Sequence, residues 1–158
     1  MNVPQTNKEK GFTIIEVVLV LAIAALIFLM VFIALPALQR SQRDTQRKND
    51  VARVQTAIQS YQSNNRNALP ADAEFNSILI PKYLTVGGDS FADPNGDDYR
   101  FTPGTAPDAF VTEGDYAPMY FTRGAVCDGD KPPKTGQGNS KVAIQYKLEG
   151  GGTACVNN

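Results

Sequence analysis

A long apolar segment near the N-terminus constrains the fold of this chain more than any other feature. Between Phe12 and Leu35 the only polar side chains are Thr13 and Glu16. As an α-helix the segment is about 36 Å long, which is enough to cross a bilayer with some tilt. A carboxylate within such a helix costs about 2.5–3.5 kcal/mol at the bilayer centre and less near the interface, and it usually marks a functional site. The segment therefore predicts a membrane-spanning helix in which Glu16 needs a positively charged partner.

Two ordinary explanations of this segment are less satisfactory. A cleavable secretory signal would use the small-x-small pattern at 22–24, but cutting there leaves a strongly apolar new terminus, and the apolar stretch is too long for an ordinary signal. A simple signal anchor leaves Glu16 unexplained. Cleavage after Gly11, by contrast, would place a new α-amine on Phe12, four residues before Glu16. That cation could meet the carboxylate within one chain or in another copy.

The stretch KGFTIIEV, residues 10–17, closely resembles the processing site of type IV prepilins and the related pseudopilins. In that family a short basic leader ends in glycine, and phenylalanine, glutamate and an apolar helix follow at this spacing. The resemblance implies that residues 1–11 are a leader peptide and that a prepilin peptidase cuts after Gly11. It also implies that the same enzyme methylates the new N-terminus at Phe12, and that Glu16 pairs with the Phe12 amine of a neighbouring subunit during assembly.

The resemblance further implies an α+β, pilin-like fold. Its parts are a transmembrane and assembly helix over 12–36, a continuing amphipathic helix over 37–64, and a globular domain over 65–158 with a small antiparallel β-sheet. Pro36 removes one backbone hydrogen bond and crowds the preceding turn, so we predict a helix kink there.

Two different patterns follow Pro36. Residues 39–50 contain no apolar side chain, which predicts either a solvated spacer or a basic band that meets lipid headgroups or acidic neighbours. An apolar stripe then predicts a helix face that packs on the sheet, formed by Val51, Val54, Ile58 and Tyr61. Weak helix formers and Pro70 place the end of this helix near residue 64.

Beyond Pro70 the sequence predicts short elements. Asp72 is the expected N-cap of a helix over 73–79. Strands are predicted over 98–102, 118–123 and 142–148, where β-formers or alternating apolar residues occur between turn residues. Residues 124–140 are rich in Gly, Lys and Pro and are expected to form a long surface loop.

The charge and cysteine content limit the possible functions. There is no histidine, and the two cysteines, Cys127 and Cys155, are compatible with one disulfide in an oxidising compartment or with two buried thiols. Asp128 and Asp130 flank Cys127 without an evident base or nucleophile, so no enzymatic activity is predicted. Residues 66–158 carry a net charge of −4, which argues against direct nucleic-acid binding.

A cluster of oxygen-bearing side chains offers the single cofactor candidate. Asp93, Asn95 and Asp97 alternate as do the first three ligands of an EF-hand loop, and Asp89 lies nearby. The glycine and the final glutamate of that loop are not at their usual positions, and the same residues also form turns. Calcium is therefore one possible interpretation, and turn formation without any cofactor is the other.

Taken together, the predicted function is a structural subunit of a type IV pilus that supports twitching motility, adhesion or DNA uptake. The resemblance implies a homopolymer assembled by an inner-membrane platform and an ATPase, from a single-pass precursor in the cytoplasmic membrane to a fibre at the cell surface. The basic residues after Pro36 alone would place the tail in the cytoplasm, but the motif and the cysteines favour the outside. The alternatives are a type II secretion pseudopilin and a membrane-anchored extracytoplasmic binding module.

Overall fold

The computed structural model describes residues 11–158, and the predicted leader lies outside this range except for Gly11. One helix, α1 (Ile14–Asn64), occupies the first third of the described chain. The chain divides into two compact units, the first ending at Gln39 and the second comprising Arg40–Asn158. Helix residues from Arg40 onward thus group with the globular part.

In the first unit, α1 has the composition of a membrane span. Its most apolar 18-residue window has a mean hydropathy of 3.3, and none of that window is buried. A core helix of a soluble protein would be mostly buried, so exposure favours an apolar environment outside the chain. The helix is unbroken at Pro36, whose ring leaves the carbonyl of Phe32 without its usual N–H donor. The kink at Pro36 stays a prediction.

In the second unit, the predicted apolar stripe of α1 is confirmed. Val51, Val54, Ile58 and Tyr61 are buried. They belong to one core cluster together with side chains of the sheet and of the following helical segment. The helix ends at Asn64, close to the predicted end, and Arg66 and Asn67 then adopt left-handed backbone conformations that turn the chain.

The segment after Pro70 is helical for longer than predicted. A short α2 (Asp72–Glu74) continues directly into a π-helix, α3 (Phe75–Leu84). Asp72 is not the N-cap, because Ala71 holds that position and its N–H donates to Glu74 at 2.8 Å. The Asp72 carboxylate instead accepts a hydrogen bond from Arg123 at 2.6 Å.

Four strands form the main sheet in the order β1 (Asp98–Pro103), β2 (Tyr116–Arg123), β5 (Val142–Lys147) and β6 (Thr153–Asn157). The three predicted strands correspond to β1, β2 and β5. The sheet is mostly antiparallel, which confirms the α+β, pilin-like prediction, but β1 runs parallel to β2. Parallel neighbours need a long connection, and residues 104–115 supply it.

Residues 124–140 do not form the predicted surface loop. They contain a two-stranded antiparallel ribbon, β3 (Ala125–Asp128) and β4 (Lys131–Thr135). A disulfide between Cys127 and Cys155 joins β3 to β6, as one of the two interpretations of the cysteines predicts. Isolated two-stranded ribbons are marginally stable, so attachment to the larger sheet is what makes this one persist.

Candidate assembly site and buried ion network

The predicted processing site is open. Apart from the chain neighbours of Gly11, no described residue has an atom within 4 Å of the position that a Cβ on Gly11 would occupy, and Phe12 is 88% exposed. Both residues precede the first residue of α1, so their backbone is not held in a helix. An exposed peptide outside a helix is accessible to the active site of a peptidase.

Thr13 and Glu16 form a capping box at the start of α1. The Glu16 carboxylate accepts hydrogen bonds from the Thr13 N–H at 3.0 Å and from the Thr13 hydroxyl at 2.9 Å. The Glu16 N–H donates in return to the Thr13 hydroxyl oxygen at 3.3 Å. These bonds satisfy two backbone donors that a helix N-terminus otherwise leaves unpaired.

The capping box changes the interpretation of Glu16, because the carboxylate already has local partners. Our sequence reasoning missed this role, although a Thr-x-x-Glu pattern before an apolar run is a recognisable signal for it. The positive end of the helix dipole also favours a carboxylate at this position. Both hydrogen bonds are accepted by Oε2, and no described residue donates to Oε1. Oε1 is thus the atom at which a further cation could bind.

The rest of the first unit presents apolar side chains on all sides of α1. Examples are Leu21, Phe28 and Ile33, each at least half exposed, and no described residue covers them. A helix that is apolar all round requires lipid or other protein as its surroundings. By length and composition, this helix could cross a membrane.

A buried ion network lies in the second unit, beside the first turns of the part of α1 that begins at Arg40. Arg47 is completely buried and donates to the Asp93 carboxylate from Nε at 2.7 Å and from Nη2 at 2.9 Å. Its Nη1 donates to Asp44 at 3.0 Å and to Glu149 at 3.2 Å. The guanidinium also lies 4.6 Å from the centre of the Phe110 ring, within the range of a cation–π contact.

The pKa shifts in this network favour the charged forms. Burial lowers the pKa of Arg47, but the hydrogen bonds to Asp93 and Asp44 outweigh burial and raise it above the ordinary value. Burial by itself raises the pKa of Asp93. The hydrogen bonds from Arg47 and from the Asn95 N–H outweigh this effect, so the pKa lies below its ordinary value. The ion pair is therefore charged throughout the physiological pH range.

The turn between β5 and β6 completes the network. Glu149 accepts from Arg43 at 2.6 Å and 2.9 Å, and these bonds lower the pKa of Glu149 to about 2. The Asp44 carboxylate accepts the backbone N–H groups of Glu149 at 3.0 Å and of Gly150 at 2.7 Å. A Cβ at position 150 would lie 2.9 Å from Asp44 Oδ2, so a side chain there would push the Asp44 carboxylate away from its N–H partners.

This network corrects the prediction of a solvated spacer over residues 39–50. Asp44, Arg47 and Asp50 are buried, and Arg43 is engaged with Glu149. Acidic residues placed three positions before arginine along a helix indicate local pairing, but they do not indicate burial. The deciding partners, Asp93 and Glu149, come from distant parts of the chain and carry no local signal.

The predicted calcium ligands are only partly brought together. Both Asp93 oxygens are engaged, with Arg47 and also with the Tyr146 hydroxyl at 2.8 Å and the Asn95 N–H at 3.0 Å. Asp89 has an exposed side chain 3.9 Å from Arg53. Within residues 11–158, no group of three or more acidic, cysteine or histidine side chains could hold a metal ion. Calcium binding through Asp89, Asp93, Asn95 and Asp97 stays a prediction that this geometry does not favour.

Comparison with known proteins gives one match. Residues 6–32 match the family model described as the prokaryotic N-terminal methylation motif. The matched stretch covers the open peptide at Gly11 and Phe12, the capping box and most of the exposed apolar helix. No curated protein and no solved structure matches the chain significantly.

Proposed function

We propose that this chain, which carries the prepilin signature of type IV pilins and pseudopilins, is a subunit of a type IV pilus. The precursor is held in the cytoplasmic membrane by α1, cut after Gly11, methylated at Phe12 and polymerised through α1 into a homopolymer at the cell surface. The fibre serves motility, adhesion or DNA uptake. The observation that carries this proposal is the matched motif on a helix whose large apolar side chains are exposed.

The assembly step uses the free oxygen of Glu16. Cleavage converts the Phe12 nitrogen from an amide into a cation, and a neighbouring copy can present this cation to Glu16 Oε1 while Oε2 keeps its bonds to Thr13. An ion pair in lipid surroundings is little screened, so it favours the one stagger of helices that brings the two groups together. The capping box holds the carboxylate in place before the partner arrives.

Mass spectrometry of material sheared from the cell surface tests the processing step. The expected result is a chain that begins at methylated Phe12 and occurs in filaments. An intact Met1 terminus confined to the membrane fraction would refute the proposal and favour a membrane-anchored binding module.

The variant Glu16→Ala tests the assembly step. The expected result is normal cleavage with few or no filaments, since the Phe12 amine then lacks its partner. Glu16→Gln is the matched control for size and capping, because an amide oxygen can still accept the bonds from Thr13. Glu16→Gln should also assemble poorly because it has no charge, and normal fibres from either variant would show that the charge pairing is wrong.

A type II secretion pseudopilin is the second candidate. It shares the signature and the processing, so the two differ in the partners of the fibre and not in the motif. Deletion of the gene separates them: loss of surface fibres and twitching with normal secretion supports the pilus, and retention of exported proteins in the periplasm supports the pseudopilin.

A further inference from the structure

The turn that precedes β1 contains an asparagine followed by a glycine, Asn95 and Gly96, and both residues are exposed. Asparagine is thermolabile in proteins, and it reacts with its own backbone most readily before glycine, because glycine has no Cβ to hinder the approach. No other asparagine of the chain precedes a glycine. The sequence therefore singles out Asn95 as the most reactive side-chain amide, and the fold around it decides how fast it reacts.

The reaction converts the side-chain amide into an acid in two steps. The Gly96 nitrogen gives its proton to solvent and attacks the side-chain carbonyl carbon of Asn95. A C–N bond forms, the bond from that carbon to the amide nitrogen breaks, and ammonia leaves. Water then opens the cyclic imide at either carbonyl, which gives aspartate or isoaspartate. In isoaspartate the main chain runs through the side-chain carbon and is longer by one methylene.

The fold engages the nucleophile of this reaction. The Gly96 N–H donates to the Asp93 carbonyl at 2.8 Å, which closes a β-turn over residues 93–96. The Asn95 N–H donates to Asp93 Oδ1 at 3.0 Å, and the Asp93 N–H donates to the Asp97 carbonyl at 2.8 Å. Asp93 thus takes part in all three bonds. The Gly96 nitrogen has to leave its bond to Asp93 before it can attack, so the closed turn slows the reaction.

Arg47 and Tyr146 hold Asp93 in this position. The Asp93 side chain is fully buried, and both of its oxygens accept hydrogen bonds from the core. Oδ1 accepts from Arg47 Nη2 at 2.9 Å, and Oδ2 accepts from Arg47 Nε at 2.7 Å and from the Tyr146 hydroxyl at 2.8 Å. Opening the turn disturbs these bonds to a buried carboxylate, which is costly. The reactivity of an exposed asparagine therefore depends on core contacts of α1 and β5.

We propose that Asn95 is a site of spontaneous deamidation, and that the buried bonds of Asp93, chiefly those from Arg47, set how fast it is converted. Water is the only co-reactant. Both products place a new carboxylate beside Asp93 and Asp97, and the isoaspartate product also lengthens the main chain inside the turn. Each change opposes closing of the turn, so conversion makes its opening permanent. This site goes beyond assembly through α1, because it gives the second unit a chemical change that accumulates with age.

The test is incubation of the full chain in nonionic detergent at mildly alkaline pH, with conversion of each asparagine followed by peptide mapping and mass spectrometry. In chain unfolded by guanidinium chloride, Asn95 should convert faster than Asn139, an exposed asparagine followed by serine. Folding should slow conversion of Asn95 at least about tenfold, because the reaction then requires local opening. Arg47→Met should reverse much of this slowing. Arg43→Met is the matched control and should keep the natural rate, because the bonds between Arg47 and Asp93 remain.

Two further variants keep the result interpretable. The near-UV circular dichroism of Tyr99 reports whether the second unit is folded. If Arg47→Met loses that signal, Tyr146→Phe replaces it, since this variant removes one bond to Asp93 with little change in volume. Asn95→Gln should not convert, because its longer side chain would have to form a larger ring.

Three outcomes would overturn the proposal. Equal conversion of Asn95 and Asn139 in the unfolded chain would remove the assigned site. Equal rates at Asn95 in the folded and unfolded chain would show that the turn gives no protection. A natural rate in the folded variant, Arg47→Met or its replacement, would show that the buried bonds of Asp93 do not control the reaction. No filament is needed, so the outcome is independent of the proposed pilus function.

Discussion

Replacing Arg47 with methionine tests whether the buried ion network holds the second unit together. Methionine has a similar length and no charge, so the substitution removes the cation with little change in volume. It leaves the Asp93 carboxylate, which is fully buried at its side chain, without its main partner. Asp44 also loses Arg47, the one cation that pairs with it within residues 11–158, although it keeps the N–H groups of Glu149 and Gly150.

We expect Arg47→Met to lower the free energy of unfolding by about 3–5 kcal/mol at neutral pH, which is the usual cost of breaking a buried pair from one side. The same substitution at Arg43 is the matched control, one turn earlier on α1. Glu149 is partly exposed and keeps its contact with Arg47 there, so the expected loss is about 1 kcal/mol or less.

The loss should depend on pH in a defined direction. In the natural chain the pKa of Asp93 is below its ordinary value of 3.8, mainly because bonds from Arg47 offset burial. Without Arg47, burial dominates and the folded-state pKa rises above the unfolded one. A group with a raised pKa opposes folding while it is ionised, so acidification from pH 7 towards 4 should reduce the difference between variant and natural chain.

The free energy of unfolding is measured by chemical unfolding of the full chain in nonionic detergent. The near-UV circular dichroism of the tyrosines monitors the transition. Tyr99 and Tyr146 lie in the core and report on it directly. The double variant Arg47→Met with Asp93→Leu should regain much of the lost stability, since the fully buried Asp93 charge is then gone and Asp44 keeps its bonds to the N–H groups of Glu149 and Gly150. A loss below about 1 kcal/mol, or one that acid does not reduce, would refute a stabilising role for this ion pair.

Four further predictions concern other contacts. Stability should fall as the pH is lowered from 4.5 towards 2, because the pKa of Glu149 is lowered from 4.5 to about 2 and its stabilising charge is lost over that range. Thr13→Val should weaken the start of α1 by about 1 kcal/mol, measured as faster amide exchange in the first turn, whereas Thr13→Ser should not. Gly150→Ala should cost about 1–3 kcal/mol in chemical unfolding, and Asp44→Ala should remove most of that cost. Cys155→Ser should cost about 3–4 kcal/mol by opening the disulfide-closed loop.

Each of these has a contrary outcome. Stability that is unchanged between pH 4.5 and 2 would mean that Glu149 contributes nothing when charged. Equal exchange in the Thr13 valine and serine variants would remove the capping role. Additive effects of Gly150→Ala and Asp44→Ala would show that the two residues do not crowd each other. A Cys155→Ser chain as stable as the natural one would show that the sheet holds the ribbon without the disulfide.

Much of the fold follows from local patterns. The apolar helix is recorded in a continuous apolar run, the stripe from Val51 to Tyr61 in helical periodicity, and the strands β1, β2 and β5 in β-formers or alternating apolar residues between turn residues. The ribbon at 124–140 was not predicted because its Gly, Lys and Pro content is typical of a loop, and its stability comes from a disulfide to a strand far along the chain. Local composition cannot report such a partner.

The capping box at Thr13 and Glu16 belongs to the locally encoded part, since both residues lie within one helical turn. The prepilin signature is local as well. The sequence by itself therefore determined the prepilin signature, the apolar helix and the position of its carboxylate, because each depends on residues that are adjacent or one turn apart.

Only the tertiary structure determined which charged residues after Pro36 are buried and which groups they pair with. The sequence shows Arg47 in a polar stretch with no apolar neighbour, whereas folding encloses it between Asp93 and Glu149, 46 and 102 residues away. Likewise, the residues around Asn76 in the sequence do not indicate that its amide oxygen accepts a hydrogen bond from the Phe101 N–H of β1. Charges and amides can be satisfied by any suitable group in space, and so their partners depend on the packing of the whole unit and not on spacing along the chain.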